Sequence, residues 1–121
     1  MFEGKAEEAL TFYASIIPNS GMISMHKYTA AGPGPEGSVM KALFSIGGLE
    51  IMCSDSFVHH AFTFTPSTSL FVTCDTEEEL RRLADALGSD GEFLMAIDNY
   101  GFSRQFCWLK DRYGVSWQLN F

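Results

Sequence analysis

The chain has 121 residues and a mass of 13.4 kDa, which is the size of a single domain. Hydrophobic residues make up 46% of it and charged residues only 19%, so the composition excludes an intrinsically disordered chain. The formal net charge is −7, and the eight Lys and Arg residues are scattered along the sequence. Because a nucleic-acid-binding protein needs a basic stripe, we expect no nucleic-acid partner.

The cysteines and the N-terminal segment bear on the cellular compartment. Cys53, Cys74 and Cys107 are odd in number and form no CxxC pair, which argues against a disulfide framework and a zinc knuckle. No apolar run reaches the roughly 18–20 residues of a membrane span. The first five residues lack the basic and apolar regions of a signal peptide. We therefore expect a cytoplasmic protein with reduced, buried thiols and no membrane partner.

Two helices are predicted from the spacing of apolar residues. Residues 5–17 carry apolar side chains at i, i+3, i+4 and i+7, and Pro18 ends the segment. Residues 76–87 show the same stripe, and Thr76 with Glu79 forms a capping-box pattern at the start. Gly88 follows the last apolar position and is predicted to be the C-terminal cap.

The remaining chain predicts strands, because β-branched and aromatic runs alternate with turn residues. The predicted strands are residues 22–28, 39–46, 49–53, 69–74, 92–98, 103–110 and 115–121. Gly47-Gly48 and residues 111–114 are hairpin signals. Residues 29–38 (TAAGPGPEGS) are predicted to be a flexible insertion, and residues 57–68 a second irregular connection.

The order of these elements repeats. A helix, a strand and a two-stranded hairpin occur twice, and the second copy is preceded by the strand 69–74. The sequence therefore predicts a single domain of two βαβββ modules, at about residues 1–56 and 69–121, joined by the connection 57–68. Only Met1 and Phe2 precede Glu3-Gly4, so we expect the first strand of the first module to be largely missing from this chain.

Several segments, spread over nearly the whole chain, resemble one known family. They are residues 2–9 (FEGKAEEA), 12–13 (FY), 69–79 (SLFVTCDTEEE), 91–95 (GEFLM), 100–103 (YGFS) and 108–119 (WLKDRYGVSWQL). With the paired modules, they are similar to the PhnB-like group of the vicinal oxygen chelate superfamily, to which glyoxalase I, fosfomycin and bleomycin resistance proteins and extradiol dioxygenases belong. The resemblance implies an α+β fold in which the modules form a curved mixed sheet with a concave cleft.

The resemblance also implies where a metal would be held in metal-dependent members. Those positions fall on Met52, on Ser69 where His is usual, and on Gln118 where Glu is usual, while the fourth lies on the missing first strand. Thioether, hydroxyl and amide groups are poor ligands for Zn²⁺, Ni²⁺, Mn²⁺ or Fe²⁺. We therefore expect no native catalytic metal and no cofactor.

The PhnB-like group often carries the label demethylubiquinone methyltransferase. A typical S-adenosylmethionine enzyme of that kind has a parallel sheet and a Gly-rich turn that opens a helix. The Gly-rich stretch of this chain, residues 32–34, does not precede a predicted helix. We expect the methyltransferase label to apply to this chain as a family name only, without methyltransferase activity.

The last two strands indicate a ligand-binding surface. The apolar residues that alternate with more polar positions are predicted to pack beneath a helix; they are Cys107, Leu109, Val115, Trp117, Leu119 and Phe121. The opposite set would face the cleft and hydrogen-bond a neutral or weakly polar small molecule. A wetted sheet face is the alternative, and the face of strand 103–110 that lines the cleft stays open. The candidate ligand-binding residues are Met52, Ser69, Arg104, Phe106, Trp108, Ser116, Gln118 and Asn120.

Other reactive side chains have a functional and a structural interpretation. Asp55 with His59-His60 is either a metal or acid–base cluster or an exposed loop, and the loop is favoured because adjacent histidines cannot both point at one ion on a regular element. Cys74 precedes the second helix, where a helix N-terminus lowers a thiol pKa, and a packed thiol is the favoured alternative. His26 is predicted to be a hydrogen-bonded histidine within a strand.

Two classes of function and one assembly follow. The protein either binds and sequesters a small molecule or is an enzyme that uses Gln118, Ser69 and a neighbouring Tyr or Arg without a metal. The uncovered edge of the first module and the high apolar content predict a two-fold symmetric homodimer. Exchange of modules through the connection 57–68 is an alternative form of that dimer.

Overall fold

The computed structural model describes residues 1–121 and contains two helices and seven strands. The elements are α1 (Ala6–Ile16), β1 (Gly21–Lys27), β2 (Val39–Ile46), β3 (Leu49–Cys53), β4 (Leu70–Thr73), α2 (Glu77–Gly88), β5 (Glu92–Asp98), β6 (Phe106–Lys110) and β7 (Ser116–Asn120). The strands form two sheets, so the α+β prediction is confirmed. Neither helix is long and apolar enough to cross a membrane.

The chain divides into two compact units. Unit 1 is Met1–Phe62 and unit 2 is Thr63–Phe121, so the boundary falls inside the predicted connection. Unit 2 follows the βαβββ order in full, from β4 to β7. Unit 1 has the same order from α1 to β3, and its predicted leading strand is reduced to Phe2, which makes an isolated parallel bridge to Asp55.

Unit 1 is a three-stranded antiparallel sheet, β1-β2-β3, with α1 packed on one face. The helix contributes Ala6, Ala9, Leu10 and Tyr13, and the sheet contributes Ala42 and Phe44; all six are buried. The stripe that predicted α1 is therefore the face that packs on the sheet.

The buried carboxylate of Asp55 joins three parts of unit 1. Its Oδ1 accepts hydrogen bonds from the backbone N–H groups of Gly4 at 2.9 Å and Ala6 at 3.0 Å, and its Oδ2 accepts one from Val39 at 3.0 Å. Lys5, the N-cap residue of α1, offers no side-chain cap. Asp55 therefore caps α1 from the far end of the unit and also holds the start of β2.

Unit 2 is a four-stranded mixed sheet in the order β4-β7-β6-β5, where β4 is parallel to β7 and the other pairs are antiparallel. The side chains of Cys107, Leu109, Trp117 and Leu119 are fully buried, and so are those of the apolar stripe of α2. Because α2 contacts β6 and β7, these four residues form its packing surface, as the alternation predicted. Val115 and Phe121, which were predicted to join them, are only half-buried.

The two ends of α2 differ in how well the sequence predicted them. Thr76 Oγ1 accepts from the N–H of Glu79, as in a capping box. The Glu79 carboxylate accepts from the N–H of Asp75, one residue before the N–H of Thr76 that a capping box uses. The prediction of Gly88 as the C-terminal cap is wrong, since the helix includes it. Its missing side chain serves packing instead: a Cβ there would lie 2.5 Å from the Phe93 ring.

The predicted bounds of β6 need correction. The strand predicted at residues 103–110 begins only at Phe106, because residues 99–105 form a loop, and Arg104 lies in that loop. The insertion 29–38, predicted to be flexible, is joined to Tyr28 by two backbone hydrogen bonds. The N–H of Tyr28 donates to the carbonyl of Ser38, and the carbonyl of Tyr28 accepts from the N–H of Gly37. Gly34 lies so close to the Tyr28 ring that a Cβ would collide with it at 2.5 Å.

We predict that Asp55→Asn lowers the free energy of unfolding by about 2–3 kcal/mol, the range for charge-assisted hydrogen bonds and a donor left unsatisfied. The asparagine keeps one oxygen acceptor, but its NH₂ group must face an N–H donor. Urea unfolding followed by circular dichroism measures the loss. Asp90→Asn is the matched control, because Asp90 is exposed and its positive φ of 59° suits asparagine. Equal effects of the two substitutions would contradict the role given to Asp55.

Candidate functional site

The face of the unit 2 sheet that points away from α2 carries most of the predicted ligand-binding residues. Paired residues on neighbouring strands share a face, so the register arranges these side chains in three cross-strand rows. We call them the front face: row 1 is Glu92, Lys110 and Ser116; row 2 is Met95, Trp108, Gln118 and Phe71; row 3 is Asp98, Phe106, Asn120 and Thr73.

Row 1 contains a chain of hydrogen bonds that ends on an aromatic ring. The indole Nε1 of Trp108 donates to Ser116 Oγ at 2.8 Å, and the hydroxyls of Ser116 and Ser69 are 2.6 Å apart. Ser116 is buried, while Ser69 and Trp108 are half-buried. None of these groups is a base, so the chain orients the indole of Trp108 and does not activate a serine nucleophile.

Row 2 is the middle of the front face and combines flat rings with an amide. Gln118 lies between Trp108 and Phe71, is half-buried, and makes no side-chain hydrogen bond within the chain. Phe71 is 58% exposed, which is unusual for a phenylalanine in a strand. An unpaired amide between two rings can hold a planar molecule by stacking and give it one or two hydrogen bonds.

Row 3 ends in a cluster of aromatic rings. Phe106 is buried because Tyr100 and Phe102, from the loop 99–105, pack on it edge to face at 6.0 Å and 4.9 Å between centroids. Asn120 lies opposite Phe106 and is half-buried. The loop thereby closes one end of the front face with aromatic side chains.

The structure does not bring all the predicted ligand-binding residues together. Ser69, Phe106, Trp108, Ser116, Gln118 and Asn120 lie in or against the three rows of unit 2. Arg104 does not, because its guanidinium stacks over the Phe121 ring at 5.6 Å. Met52 is a residue of β3 in unit 1 and therefore belongs to none of these rows; it pairs with Leu43 of β2 and is 60% exposed.

Sequence reasoning missed several residues of the front face. Phe71 could have been found, since the alternation of side chains along its strand places it opposite to Leu70 and Val72, which are half-buried. Met95 and Asp98 could not, because register shifts on either side of Met95 break the two-residue period of β5. Tyr100 and Phe102 are loop residues, whose placement no periodicity predicts.

The exposed loop predicted for Asp55 and His59-His60 is confirmed for His59 and wrong for Asp55, which is buried. The carboxylate of Asp55 is occupied by backbone N–H groups. Glu3 Oε1 is 3.2 Å from both the Nδ1 of His59 and the N–H of His60, and the His60 ring lies 3.0 Å from Ser56 Oγ. These contacts hold the connection against its own unit, beside an open depression of about 520 Å³.

The prediction for His26 is wrong. This residue is exposed on β1 and makes no side-chain hydrogen bond, whereas the sequence predicted a hydrogen-bonded histidine within a strand. The strand itself was predicted, but periodicity alone does not tell whether a side chain at its surface finds a partner.

The residues of unit 2 do not fit a catalytic metal. Ser69 is bonded to Ser116, and Gln118 offers a single neutral amide oxygen. Nowhere in the chain do three or more His, Cys, Asp or Glu side chains form a group that could hold an ion. The chemistry of this donor set therefore gives no basis for a metal-dependent step.

All three cysteines are buried, free thiols. Burial raises the pKa of Cys74 to about 11, and nearby Glu79 adds to the effect. Burial also raises the pKa of Cys107 to about 11, and it raises the pKa of Cys53. Since the thiolate is the reactive form, the position of Cys74 before α2 does not make it a nucleophile.

We predict that the three thiols of the native protein react with Ellman's reagent much more slowly than the same thiols in guanidinium chloride. Because the folded-state pKa values are raised, the thiols of the unfolded chain ionise at a lower pH than those of the folded protein, and this ionisation favours unfolding in alkali. Stability against unfolding therefore falls as the pH rises from about 9 toward 11. Stopped-flow absorbance at pH 8 measures the reactivity, and one fast equivalent assigned to Cys74 by mass spectrometry would contradict the prediction.

Comparisons with known proteins agree with this fold. The family model described as 3-demethylubiquinone-9 3-methyltransferase matches residues 1–120. The PhnB protein from Bacillus cereus is 53% identical, with 99% of this chain and 93% of that chain covered and a TM-score of 0.95. No curated protein matches.

More distant structures show the fold alone. A protein from Pseudomonas aeruginosa is 24% identical, with 98% of this chain and 90% of that chain covered and a TM-score of 0.83. TioX from Micromonospora is 11% identical, with 98% and 89% covered and a TM-score of 0.54. The family-model match over residues 1–120 and the similarity to the Bacillus cereus protein both show that this chain belongs to the PhnB-like family labelled 3-demethylubiquinone-9 3-methyltransferase.

Proposed function

We propose that this protein is a vicinal-oxygen-chelate-fold member of the PhnB-like family that binds a planar small molecule on the front face of unit 2, without a catalytic metal. The observation that carries the proposal is the unpaired carboxamide of Gln118 between the rings of Trp108 and Phe71. A ligand with a carbonyl or hydroxyl oxygen suits this row, since the amide can donate to that oxygen.

The rigidity of the row supports a binding role. Ser116 holds the indole of Trp108, so little side-chain freedom is lost when a ligand stacks on it. Phe71 already exposes its ring, and covering that ring is favourable. Aromatic stacking and one hydrogen bond each contribute about 1 kcal/mol, which suits a ligand held by several weak contacts.

An enzyme that uses Ser69 and Gln118 without a metal is the second candidate. It is less well supported, because the hydrogen-bond chain from Ser69 leads to a hydroxyl and an indole, and neither can take a proton from a substrate. A carboxylate is present on the front face at Asp98, but it lies in row 3, away from Ser69 at the row 1 end.

The methyltransferase label finds no support at the strand-to-helix turn of unit 2. That turn is Cys74-Asp75-Thr76 and has no glycine. Thr76 and Glu79 already bind the N–H groups at the start of α2, and Glu77, Glu78 and Glu79 occupy its first turn. An anionic cofactor group would meet repulsion there rather than free N–H donors.

We predict that 7-methoxy-4-methylcoumarin, a neutral planar probe with a carbonyl group, binds row 2. In ¹H–¹⁵N spectra the indole N–H of Trp108 and the side-chain NH₂ of Gln118 should shift on titration. The indole N–H of Trp117 should not, because that ring is fully buried on the α2 side and donates to Asp111.

The chain offers a matched control for the amide. Gln118→Ala should weaken binding about fivefold, which corresponds to one hydrogen bond. Gln105→Ala changes the only other glutamine, which lies in the loop before β6, and should leave affinity unchanged. Shifts confined to Trp117, or equal losses in both variants, would refute the proposed site.

We also predict that tag-free protein carries no stoichiometric Zn, Ni, Mn or Fe, because amide, hydroxyl and thioether groups occupy the positions of the usual ligands. Elemental analysis by mass spectrometry measures the content. About one such ion per chain, lost in Gln118→Ala and retained in Gln105→Ala, would overturn the metal-free part of the proposal.

A further inference from the structure

The loop between β5 and β6 holds two exposed aromatic rings in a fixed position. Tyr100 and Phe102 stack on each other with centroids 6.3 Å apart and planes at 18°, and both pack on Phe106. Phe102 is nevertheless 64% exposed. Such a ring costs free energy in water unless something covers it, and its orientation here does not depend on a ligand.

The backbone of this loop is fixed by local hydrogen bonds. Asn99 Oδ1 accepts from the N–H of Gly101 at 2.8 Å, and Gly101 has a φ of +95°, which an L side chain rarely adopts. The hydroxyl of Tyr100 donates to the carbonyl of Ala96 at 2.7 Å. The aromatic pair is therefore presented on a pre-organised turn.

Asp98 places a carboxylate at this end of the front face. Asp98 pairs with Phe106 across β5 and β6, so its carboxylate lies on the same face and is exposed. One of its oxygens accepts from the N–H of Asn99 at 2.7 Å, which leaves the other oxygen open. Lys110 pairs with Glu92 in row 1, at the opposite end, and Arg104 stacks on Phe121. The net charge of the chain, −7, adds long-range attraction for a cation.

We infer that Asp98, Tyr100 and Phe102 form a subsite for an organic cation, an amine or quaternary ammonium group on the same planar ligand that row 2 holds. This inference rests on the proposed function and names the ligand class more closely. Aromatic faces attract weakly hydrated cations, and a carboxylate beside them adds charge pairing. An anionic ligand would meet the opposite potential.

The geometry sets the distance between the two parts of the ligand. Rows 2 and 3 are two residues apart on each of β6 and β7, which is about 6.6–6.8 Å along a strand. A ligand that spans both rows therefore carries its cationic group on the edge of the ring that points from Trp108 toward the loop 99–105. A trimethylammoniomethyl substituent extends the ring in that direction.

The test compares two coumarins that differ in one group. The neutral probe is 7-methoxy-4-methylcoumarin, and the cationic probe carries a trimethylammoniomethyl group at position 4. We expect the cationic probe to bind the intact protein more tightly in the same titration, with additional shifts at Gly101 and Phe102. Phe102→Leu keeps an apolar side chain and removes the aromatic ring, so it should weaken the cationic probe about two- to fivefold and leave the neutral probe unchanged.

A charge control separates a local carboxylate from the net charge of the protein. Asp98→Asn should reduce the preference for the cationic probe, whereas Asp85→Asn removes the same charge from α2, on the other side of the sheet, and should reduce it much less. Asn at position 98 retains the oxygen that accepts from Asn99, so the turn is preserved.

The outcomes distinguish the two proposals. If the neutral probe binds row 2 but the cationic probe binds no more tightly, the cation subsite is wrong and the proposed function stands. The cation subsite is also wrong if the advantage of the cationic probe survives Phe102→Leu, or falls equally in Asp98→Asn and Asp85→Asn. If neither probe shifts the signals of Trp108 or Gln118, both proposals fail.

Discussion

The arrangement of unit 2 depends on the carboxylate of Asp111. It accepts from the N–H groups of Tyr113 at 2.8 Å and Val115 at 3.1 Å, and its other oxygen accepts from the indole of Trp117 at 2.8 Å. These bonds close the turn between β6 and β7 and thereby fix their register. Since side chains alternate with a period of two, a slip by one residue would move Trp108 and Gln118 to the face that packs on α2.

A buried aspartate has the corresponding task in unit 1. Asp55 satisfies N–H groups at the chain start, at α1 and at β2, where no local side chain could do so. Both oxygens of each carboxylate accept hydrogen bonds from groups of the fold, and this use leaves them unavailable for catalysis. The acidic residues that remain exposed, such as Asp98, are therefore the ones with chemistry to offer a ligand.

The two tryptophans of the β6–β7 hairpin have different roles, one in the core and one on the front face. Trp117 is fully buried and is bound to Asp111, so it belongs to the core. Trp108 is half-buried, is oriented by Ser116, and faces the side that carries Gln118 and Phe71. A rigid ring next to an unpaired amide is a common design for small-molecule sites. The family label, by contrast, names a reaction for which the turn before α2 has no suitable group.

The sequence by itself determined both helices, all seven strands to within a few residues, and the packing of Trp117 on the helix side of its strand. These features rest on local periodicity, capping and turn residues, which act over short stretches of chain. The same alternation placed Ser116, Gln118 and Asn120 on one side of β7, and segments such as residues 108–119 were sufficient to indicate the family. The late start of β6 was missed because turn geometry, not hydrophobicity, ends the loop 99–105.

Only the tertiary structure decided the features that depend on distant contacts. Asp55 caps α1 by accepting from the N–H of Ala6, 49 residues away in sequence. Gly88 is needed because a Cβ at this position would collide with the Phe93 ring. Arg104 turns to Phe121, and the register shifts in β5 bring Asp98 opposite Phe106. The pKa of Cys74 is raised because burial and the nearby Glu79 outweigh the charge of Arg82. Burial, register and through-space charge are properties of the folded chain, and no local pattern of residues specifies them.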